Sequence, residues 1–261
     1  MPYTHVFAVC AYGESPYLES CLRSLKAQTM PSEIIICTST PSNFLEQMGE
    51  KYGVSVYVRQ GESNIRDDWN FAWEKADGEF VTLAHQDDVY HRTYGERLKK
   101  AVLAWPDMTV FTSDYVIVKG DRLISWDKLL LVKRILRMPL RLKCASHLSQ
   151  VKKLSLMLGN SICCPATTYC KKKIGEPLIR SDYSFVLDWE NMLRLAERPG
   201  RWICEEKPLL CYRVHDGAAT KACIRDHRRE QEEREMFERF WPRPVVELLM
   251  RGYRTAYKEY S

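Results

Sequence analysis

Two adjacent carboxylates, Asp87 and Asp88, follow directly after the apolar run FVTLA in the sequence HQDD (residues 85–88). Two like charges side by side are costly in a partly dry site unless a cation neutralises them. Two oxygens on one backbone turn also suit a hard divalent ion, so one interpretation of the pair is a metal site. The alternative is that both acids are solvated turn residues that end a strand, which is the usual role of an Asp-Asp pair in a loop.

The elements before this pair alternate between strands and helices. Apolar runs of strand length occur at residues 5–10, 33–37, 54–58 and 79–84. Apolar residues between them recur at helical spacing, and Ser15 and Pro16 predict a cap and a first-turn proline for the first helix. Such alternation predicts a mostly parallel sheet flanked by helices, and sheets of this kind bind ligands beyond the carboxyl ends of their strands. Because Asp87 and Asp88 lie at such an end, their position favours the metal interpretation.

The second half of the chain follows a different pattern. Residues 108–118 and the segment RLISW predict a hairpin, and the stretch DKLLLVKRILRMPLRLK (127–143) that comes next is basic. A helix face is predicted around residues 185–196, the runs RWIC and PLLCYRV are strand-like, and the charged tail from about Asp226 is typical of a solvated helix. These elements predict a smaller hairpin and helical region beside the sheet, followed by a helical tail.

The composition is that of an ordinary globular protein. Hydrophobic residues make up 45% and charged residues 28% of the 261 residues, which is enough material for one large domain. The start MPYTHVFAVC lacks the features of a signal peptide, and no apolar stretch approaches the roughly 20 residues that span a bilayer. We therefore expect a cytoplasmic protein.

The ten cysteines are dispersed, apart from Cys163-Cys164, and none has C-x-x-C spacing. This pattern predicts reduced thiols rather than a zinc site or a disulfide scaffold. A catalytic cysteine paired with one of the six histidines stays open, although nothing local in the sequence supports it.

Two common phosphate-binding motifs are absent. The first turn reads CAYGESPYL, which has no G-x-G-x-x-G, and the chain has no G-x-x-x-x-G-K-[ST]. The dehydrogenase and P-loop NTPase classes are therefore excluded. Without a glycine-rich cradle, a bound diphosphate needs its charge neutralised in another way, and a divalent cation held by Asp87 and Asp88 would do so.

Five blocks of the sequence together resemble the family 2 glycosyltransferases, which have the GT-A fold. They are AVCAYGESPYLESCLRSLKAQT, IIICTSTPSN, WNFAWEKADGEFVTLAHQDD, LDWENMLRLAERPGRW and PLLCYRVHDGAAT, in the family's order and spacing. The resemblance implies an α/β, Rossmann-like GT-A fold. It also implies transfer of a sugar from a nucleoside-diphosphate sugar, with inversion at the anomeric carbon and with Mn²⁺ or Mg²⁺ as cofactor. It divides the chain into a nucleotide-sugar-binding half (1–114), an acceptor-binding and catalytic half (115–220) and a helical extension (221–261).

The resemblance also implies roles for individual residues. HQDD takes the place of the family's D-x-D-type motif, so Asp87 would contact the metal and the donor diphosphate, with Asp88 in support. His85 replaces the first acid of that motif, which usually approaches the donor ribose. In the Y-R-x-H segment at 212–215, His215 would lie near the metal, and Arg213 would contribute to donor binding.

Asp188 in LDWE matches the position of the family's general base, with Leu187 in place of the Glu of the usual E-D pair. Sugar hydroxyls are very weak acids, so a carboxylate must take the proton as the oxygen attacks. The alternative for Asp188 is an acid in the first turn of a helix, favoured there by the helix dipole. His215 also has a simpler alternative, as a turn residue before Asp216-Gly217.

Contacts to the nucleotide base are the least defined part of the resemblance. Tyr12 and Glu14, just past the first strand, are candidates for facing the base, and the alternative is that they are loop residues without such a role. Many relatives have acids after the second strand, where this chain has Thr38-Ser39-Thr40. Hydroxyls can still hydrogen-bond a base or a ribose, so Thr38 is a donor-binding candidate and the identity of the nucleotide stays open.

The basic segment has two interpretations. Residues 121–173 hold 12 Lys and Arg against 2 Asp and Glu, and six of the cations lie among leucines between Lys128 and Lys143. This pattern fits an interfacial helix at residues 128–143 that contacts anionic lipid peripherally, at the inner membrane face, near a glycan or lipid-linked acceptor. The alternative is a basic helix that covers the protein's own core. No nucleic-acid-binding motif accompanies the charge.

Three functions remain in comparison. The first is a metal-dependent inverting glycosyltransferase in cell-surface polysaccharide synthesis. The second is a nucleotidyltransferase with a related sheet, which would release pyrophosphate from a nucleoside triphosphate. The third is a non-catalytic module that binds a nucleotide sugar or glycan, an interpretation favoured by the departures at His85, at Leu187 and at Thr38-Ser39-Thr40.

Overall fold

The structure is a computed structural model that describes residues 3–215 and 228–257, with side chains to 253. Strands and helices alternate strictly in its first part. The elements are β1 (His5–Ala11), α1 (Leu18–Lys26), β2 (Glu33–Thr38), α2 (Asn43–Tyr52), β3 (Ser55–Val58), α3 (Ile65–Lys75) and β4 (Phe80–His85). All seven were predicted from the sequence, because their apolar residues keep a strand or helix period.

The second part adds longer strands and short helices. The elements are β5 (Val89–Tyr90), α4 (Tyr94–Ala104), β6 (Met108–Lys119), β7 (Arg122–Ile124), α5 (Lys128–Leu136), α6 (Met138–Arg141), α7 (Ser149–Leu154), a 3₁₀ turn (Cys164–Ala166), β8 (Thr167–Cys170), α8 (Lys171–Ile174), α9 (Leu187–Ala196), β9 (Arg201–Val214), α10 (Arg228–Glu238) and α11 (Arg243–Tyr257). The predicted hairpin is β6–β7, and the two strand-like runs RWIC and PLLCYRV are one strand, β9.

The described strands form one sheet in the order β3-β2-β1-β4-β8-β6-β9-β5, with β7 beside β6. The first four are parallel, β8 runs antiparallel to both of its neighbours, and β9 is parallel to β6. In the register of the parallel part, Cys10 of β1 lies beside Cys37 of β2 and His85 of β4. The carboxyl ends of these three strands therefore meet at one edge, and the residues that follow them share that edge.

Both faces of the sheet are covered, which confirms the predicted α/β architecture. Val6 and Ala8 pack into the core layer on one face, whereas Phe7 and Val9 pack into the layer on the other. This alternation explains why β1 reads as a continuous apolar run. Trp73 and Trp189 are buried in the first layer.

Parts of the structure differ from the sequence prediction or were not predicted. The helix α1 begins after Tyr17 without a side-chain cap, so Ser15 is not its cap. The strands β5 and β8 were not predicted. The predicted tail helix is present as α10, which begins at Arg228, and Asp226, where the prediction placed its start, lies outside the described residues.

Candidate active site

Asp87 projects from the turn after β4 and contacts two other loops of the same edge. Its Oδ1 accepts a hydrogen bond of 2.6 Å from the Ser15 hydroxyl, and its Oδ2 lies 3.1 Å from Nε2 of His215. The carboxylate is 23% exposed, so it is neither buried nor freely solvated. Asp87 and His215 thus lie close together, their contact with a metal stays a prediction, and Ser15 is a partner that the sequence did not indicate.

Asp88 points into the protein instead. It is 1% exposed, its Oδ1 accepts the backbone N–H of Arg213 at 2.9 Å, and within the described residues its Oδ2 has no hydrogen-bond partner. Burial, together with the nearby charge of Asp87, raises the pKa of Asp88 well above its ordinary value, although the Arg213 N–H opposes this. In this arrangement Asp88 holds the end of β9 against the turn, and direct contact of Asp88 with a metal stays a prediction.

Arg213 reinforces the same junction. Its Nε donates to the backbone carbonyl of Asp87 at 2.9 Å, and its guanidinium lies 4.4 Å from the centre of the Tyr17 ring. The Tyr17 ring is 5.0 Å from the ring of His215. Cation–π and ring contacts of this kind fix a side chain without using its remaining N–H donors. Arg213 and His215 are therefore held at the edge of the sheet from which Asp87 projects.

His85 and Gln86 complete the HQDD turn in different ways. The His85 ring packs 5.3 Å from the Trp69 ring, and burial lowers the pKa of His85 to about 4, so the imidazole is neutral at pH 7. Gln86 holds the loop after β1: its Oε1 accepts from Tyr12 N at 3.2 Å, and its Nε2 donates to Tyr12 O at 2.9 Å. The sequence prediction assigned no role to Gln86, although it lies inside the motif.

The loops after β1 and β2 meet beside this turn. The Thr40 hydroxyl accepts the Gly13 N–H at 2.7 Å and lies 3.3 Å from the hydroxyl of Thr38. Thr38 is buried, whereas Tyr12 and Glu14 are exposed. Gly13 has a φ of 59°, a conformation that favours glycine and turns the loop back toward β2. The candidates Tyr12, Glu14 and Thr38 are thus brought to one edge, and their contact with a nucleotide stays a prediction.

A polar network connects the loop after β2 to α3. Asp68 on α3 accepts hydrogen bonds from Ser39 and Ser63, both at 2.9 Å, and pairs with Arg59 at 2.7 Å. No acid follows β2 in the sequence, so the carboxylate beside this loop comes from α3 instead. The sequence spacing gave no indication of this arrangement, because the four residues come from three separate segments.

Asp188 is the second residue of α9, in the second half of the chain. Its Oδ2 accepts from Asn160 Nδ2 at 2.8 Å, and its Oδ1 accepts from Trp189 N at 2.7 Å. Burial raises the pKa of Asp188 to about 6, against the opposing effects of these two donors and of Lys133. A carboxylate with a pKa near neutrality is a suitable proton acceptor. Asp188 also lies in the first turn of α9, and its role as the base stays a prediction.

The Cys164 thiol is influenced by the charges of both Asp188 and Asp88. Burial raises the pKa of its thiol first of all, and the charges of Asp188 and, more weakly, Asp88 raise it further. The thiol therefore lies within electrostatic reach of both acids. Burial likewise raises the thiol pKa of Cys10, Cys21 and Cys163, so these side chains stay protonated and are poor nucleophiles.

The residues at the edge are suited to a divalent cation with few protein ligands. Within residues 3–215 and 228–257, no group of three or more His, Cys, Asp or Glu side chains is arranged to hold a metal ion. Mg²⁺ and similar ions often bind one or two protein groups and take their other ligands from water and phosphate oxygens. Neighbouring ligands of such an octahedral ion are about 3 Å apart. The 3.1 Å separation of Asp87 Oδ2 and His215 Nε2 fits this requirement.

A parallel sheet whose carboxyl edge gathers an acid, a histidine and several hydroxyls is the arrangement of nucleotide-binding α/β proteins. The family model described as glycosyl transferase family 2 matches residues 6–149. The match covers more than half of the chain, which therefore belongs to glycosyl transferase family 2. A comparison with curated protein sequences gives no match.

Solved structures of similar fold are glycosyltransferases. Residues 1–349 of S. aureus TarS in complex with UDP-GlcNAc give a TM-score of 0.61 at 16% identity, over 85% of this chain and 61% of that chain. The Pyrobaculum calidifontis mannosyltransferase PcManGT in complex with GDP-Man and Mn²⁺ gives a TM-score of 0.60 at 16% sequence identity, over 95% of this chain and 68% of that chain. Glucosyl-3-phosphoglycerate synthase from Mycobacterium tuberculosis, in complex with Mn²⁺, UDP and glucosyl-3-phosphoglycerate, gives a TM-score of 0.58 at 12% sequence identity, over 85% of this chain and 76% of that chain. The chain thus spans 61% of the TarS chain, and the similarity confirms the predicted GT-A architecture.

Proposed function

We propose that this protein is a metal-dependent inverting glycosyltransferase that moves a sugar from a nucleoside-diphosphate sugar to an acceptor hydroxyl. The observation that carries the proposal is the contact of Asp87 with His215 at the carboxyl edge of the sheet. Asp87 lies against His215 where a diphosphate would need a cation, and Asp188 has a pKa of about 6, near that of an effective base. Family membership and the metal-containing complexes of PcManGT and the synthase support the same chemistry.

In this proposal Asp188 takes the proton of the acceptor hydroxyl. Asn160 and the Trp189 N–H fix both of its oxygens, so the carboxylate is oriented before the acceptor arrives. Asp87 and His215 would hold Mn²⁺ or Mg²⁺. A cation bound there offsets the negative charge that grows on the departing nucleoside diphosphate. Asp88 supports the site by fixing the Arg213 backbone.

The proposed donor site also includes the loops after β1 and β2. The neutral imidazole of His85 can donate a hydrogen bond to a ribose hydroxyl or accept one from it. In this proposal Thr38, Tyr12 and Glu14 contribute to donor binding. Arg213 would stabilise the donor end through the N–H groups that its contacts leave available. The neighbours bind UDP-GlcNAc and GDP-Man, so the nucleotide is left open.

We assign donor binding to residues 1–114 and acceptor binding to 115–220, with 221–261 as an extension. The acceptor in this proposal is a glycan or a lipid-linked glycan precursor of a cell-surface polysaccharide. The reaction would take place in the cytoplasm at the inner membrane face, with residues 128–143 as the peripheral contact. In the described part of the chain, no helix combines the length and the apolar character that crossing a bilayer requires.

The test is a thermal-shift screen of UDP-, dTDP- and GDP-sugars with and without Mn²⁺, followed by product analysis with the stabilising donor. A glycosyltransferase releases the nucleoside diphosphate, and Asp188→Asn stops transfer while donor binding survives. Release of pyrophosphate from a nucleoside triphosphate would instead identify a nucleotidyltransferase. Donor binding without turnover, unaffected by Asp188→Asn, would identify a binding module.

A further inference from the structure

The helices α5 and α6 expose their apolar side. Leu131, Ile135, Met138 and Leu142 follow one another at helical spacing and are 38% to 62% exposed, increasing along the chain. Only Leu130 of α5 and Leu140 of α6 are buried apolar residues. A helix that covers its own core shows the opposite distribution, with leucines inside and polar residues outside. The segment thus covers part of the core through Leu130 and Leu140, while Leu131, Val132, Ile135, Met138 and Leu142 face outward.

The cations of the middle of the segment face the protein instead of solvent. Arg137 is buried and pairs with Asp114 of β6, and its Nη1 donates to the carbonyl of Ser113 at 3.0 Å. Arg134 pairs with the same Asp114 at 2.8 Å. Lys133 lies 5.8 Å from the Tyr115 ring. These contacts anchor α5 and α6 to β6. They leave the apolar side chains of the two helices facing solvent.

Exposed cations lie at both ends of this apolar side. Arg122 and Lys128 come before it, and Arg141 and Lys143 come at its end, with Arg141 also 3.3 Å from Glu206. Trp126, between β7 and α5, is 68% exposed. Tryptophan with neighbouring lysine and arginine is typical of side chains at a membrane–water interface. Asp121 is the one exposed acid between residues 121 and 143, since the Asp127 carboxylate caps α5.

We propose that residues 122–143 form a docking surface for an anionic lipid bilayer, in which Trp126 and the apolar side of α5–α6 enter the headgroup region while the flanking cations contact lipid phosphates. A bilayer bound at this docking surface would carry the lipid-linked acceptor of the proposed function. The choice of lipid as the occupant therefore rests on that proposed function. A second copy of the chain fits less well, because a two-fold interface would place these cations against one another. Nucleic acid would use the charge but not the apolar side chains.

Vesicle flotation tests the docking surface with the full chain. Wild-type protein is expected to float with vesicles that contain one third phosphatidylglycerol and to stay in solution with pure phosphatidylcholine. The variant Ile135→Gln, Met138→Gln, Leu142→Gln is expected to lose at least tenfold in partitioning, because exposed glutamines keep the helix but not the apolar side. The control is Leu103→Gln with Leu248→Gln, two exposed leucines of α4 and α11 that should not change partitioning.

A second pair of variants tests the cations. Lys128→Gln with Lys143→Gln should lower partitioning about fivefold for each charge removed, whereas Lys26→Gln with Lys100→Gln should have no such effect. Raising the salt concentration should weaken wild-type binding in the same direction.

Failure of wild-type protein to float with anionic vesicles, or equal flotation of the glutamine triple variant, would overturn the docking surface. A dimer in analytical ultracentrifugation that the triple variant dissociates would overturn it in favour of a second copy. Either result can occur while sugar transfer to a soluble acceptor persists, in which case the proposed function stands. Flotation without any transfer, in contrast, would remove the proposed function and leave the lipid surface.

Discussion

Asn160 Nδ2 donates a hydrogen bond of 2.8 Å to Oδ2 of Asp188, while its own Oδ1 accepts the backbone N–H of Ile162 at 3.1 Å. The second contact fixes the orientation of the amide, so that only its N–H₂ group can face the carboxylate. Asn160 is therefore placed to position Asp188 and to stabilise its ionised form.

We expect Asn160→Ala to raise the pKa of Asp188, because the hydrogen bond from Asn160 lowers it. The acidic limb of the pH profile of kcat/KM should move to higher pH by about half to one unit, with little change in the plateau. Asn160→Asp should move it further, since a second carboxyl adds like charge. An unchanged limb in both variants, in an enzyme that Asp188→Asn inactivates, would show that Asn160 has only a structural role.

Asp188→Asn should lower activity and raise stability together. Transfer should fall by about 10²–10⁴-fold, the usual contribution of a general base. The folded-state pKa of about 6 lies above the ordinary value of 3.8, so ionised Asp188 destabilises the folded protein at neutral pH. We expect the variant to gain about 1–2 kcal/mol in urea denaturation near pH 7.5. The gain should shrink as pH falls through about 6 and vanish below about 4, where both states of the wild type are protonated. A loss of stability at neutral pH would contradict the assignment of Asp188 as a buried base whose ionised form destabilises the folded protein.

Asp87→Asn should remove the effect of metal on donor binding. The amide oxygen can still accept the hydrogen bond from Ser15, but the negative charge that attracts a cation is lost. We expect Mn²⁺ to tighten binding of UDP or GDP to the wild type, and this enhancement to fall at least tenfold in the variant, or about 1.4 kcal/mol. Isothermal titration with and without Mn²⁺ measures it. Asp182→Asn, at an exposed acid paired with Arg66, is the matched control. An intact metal effect in Asp87→Asn would rule out its role as a ligand.

Gln86→Glu should weaken donor binding without changing the chemical step. The carboxylate can still accept from Tyr12 N but cannot donate to Tyr12 O, so the loop after β1 loses one of its two bonds. A lost hydrogen bond of about 1 kcal/mol corresponds to a roughly fivefold rise in donor Kd. Gln150→Glu, on the exposed surface of α7, serves as the control. A fall in kcat at unchanged Kd would show that the loop affects the reaction rather than the donor site.

Asp114→Ala should be strongly destabilising. The change leaves the buried guanidinium of Arg137 without its charged partner, which typically costs about 3–5 kcal/mol. The double variant Asp114→Ala, Arg137→Met should recover part of that loss, because no unpaired charge stays buried. Urea denaturation of the single and double variants measures the coupling. Equal stability of both variants would mean that the pair does not anchor α5 and α6.

The sequence predicted those elements whose pattern is local. The strands β1, β2 and β4 are continuous apolar runs because both faces of the sheet are covered there, and the family blocks gave the correct family. The strand β8, TTYC, was missed because its buried threonines are satisfied by distant partners: Thr168 lies 2.6 Å from Thr82, and Thr167 donates to Thr112 at 3.2 Å. Four residues of mixed polarity carry no strand signal until those partners are known.

From the sequence, only those site residues that lie in a family motif could be predicted. Asp87, His215 and Asp188 were named from their blocks; the structure places Asp87 against His215, and the roles of all three stay predictions. Ser15 looked like a helix cap, yet its hydroxyl bonds a carboxylate 72 positions away, a contact that local chemistry cannot reveal. For α5, helical spacing showed that cations and leucines separate, but it could not show which side faces inward; Asp114 decides that.

The long pairing between β6 and β9 joins the two ends of the molecule. The strand β6 carries Asp114, which anchors α5 and α6, and it pairs with β9 as far as Lys119 beside Val214, one position before His215. The outward apolar helices and His215 are thus both attached to one two-stranded ribbon. A lipid-anchored acceptor would consequently meet the transfer site at an angle set by this ribbon, so the reach from bilayer to sugar would be a fixed length.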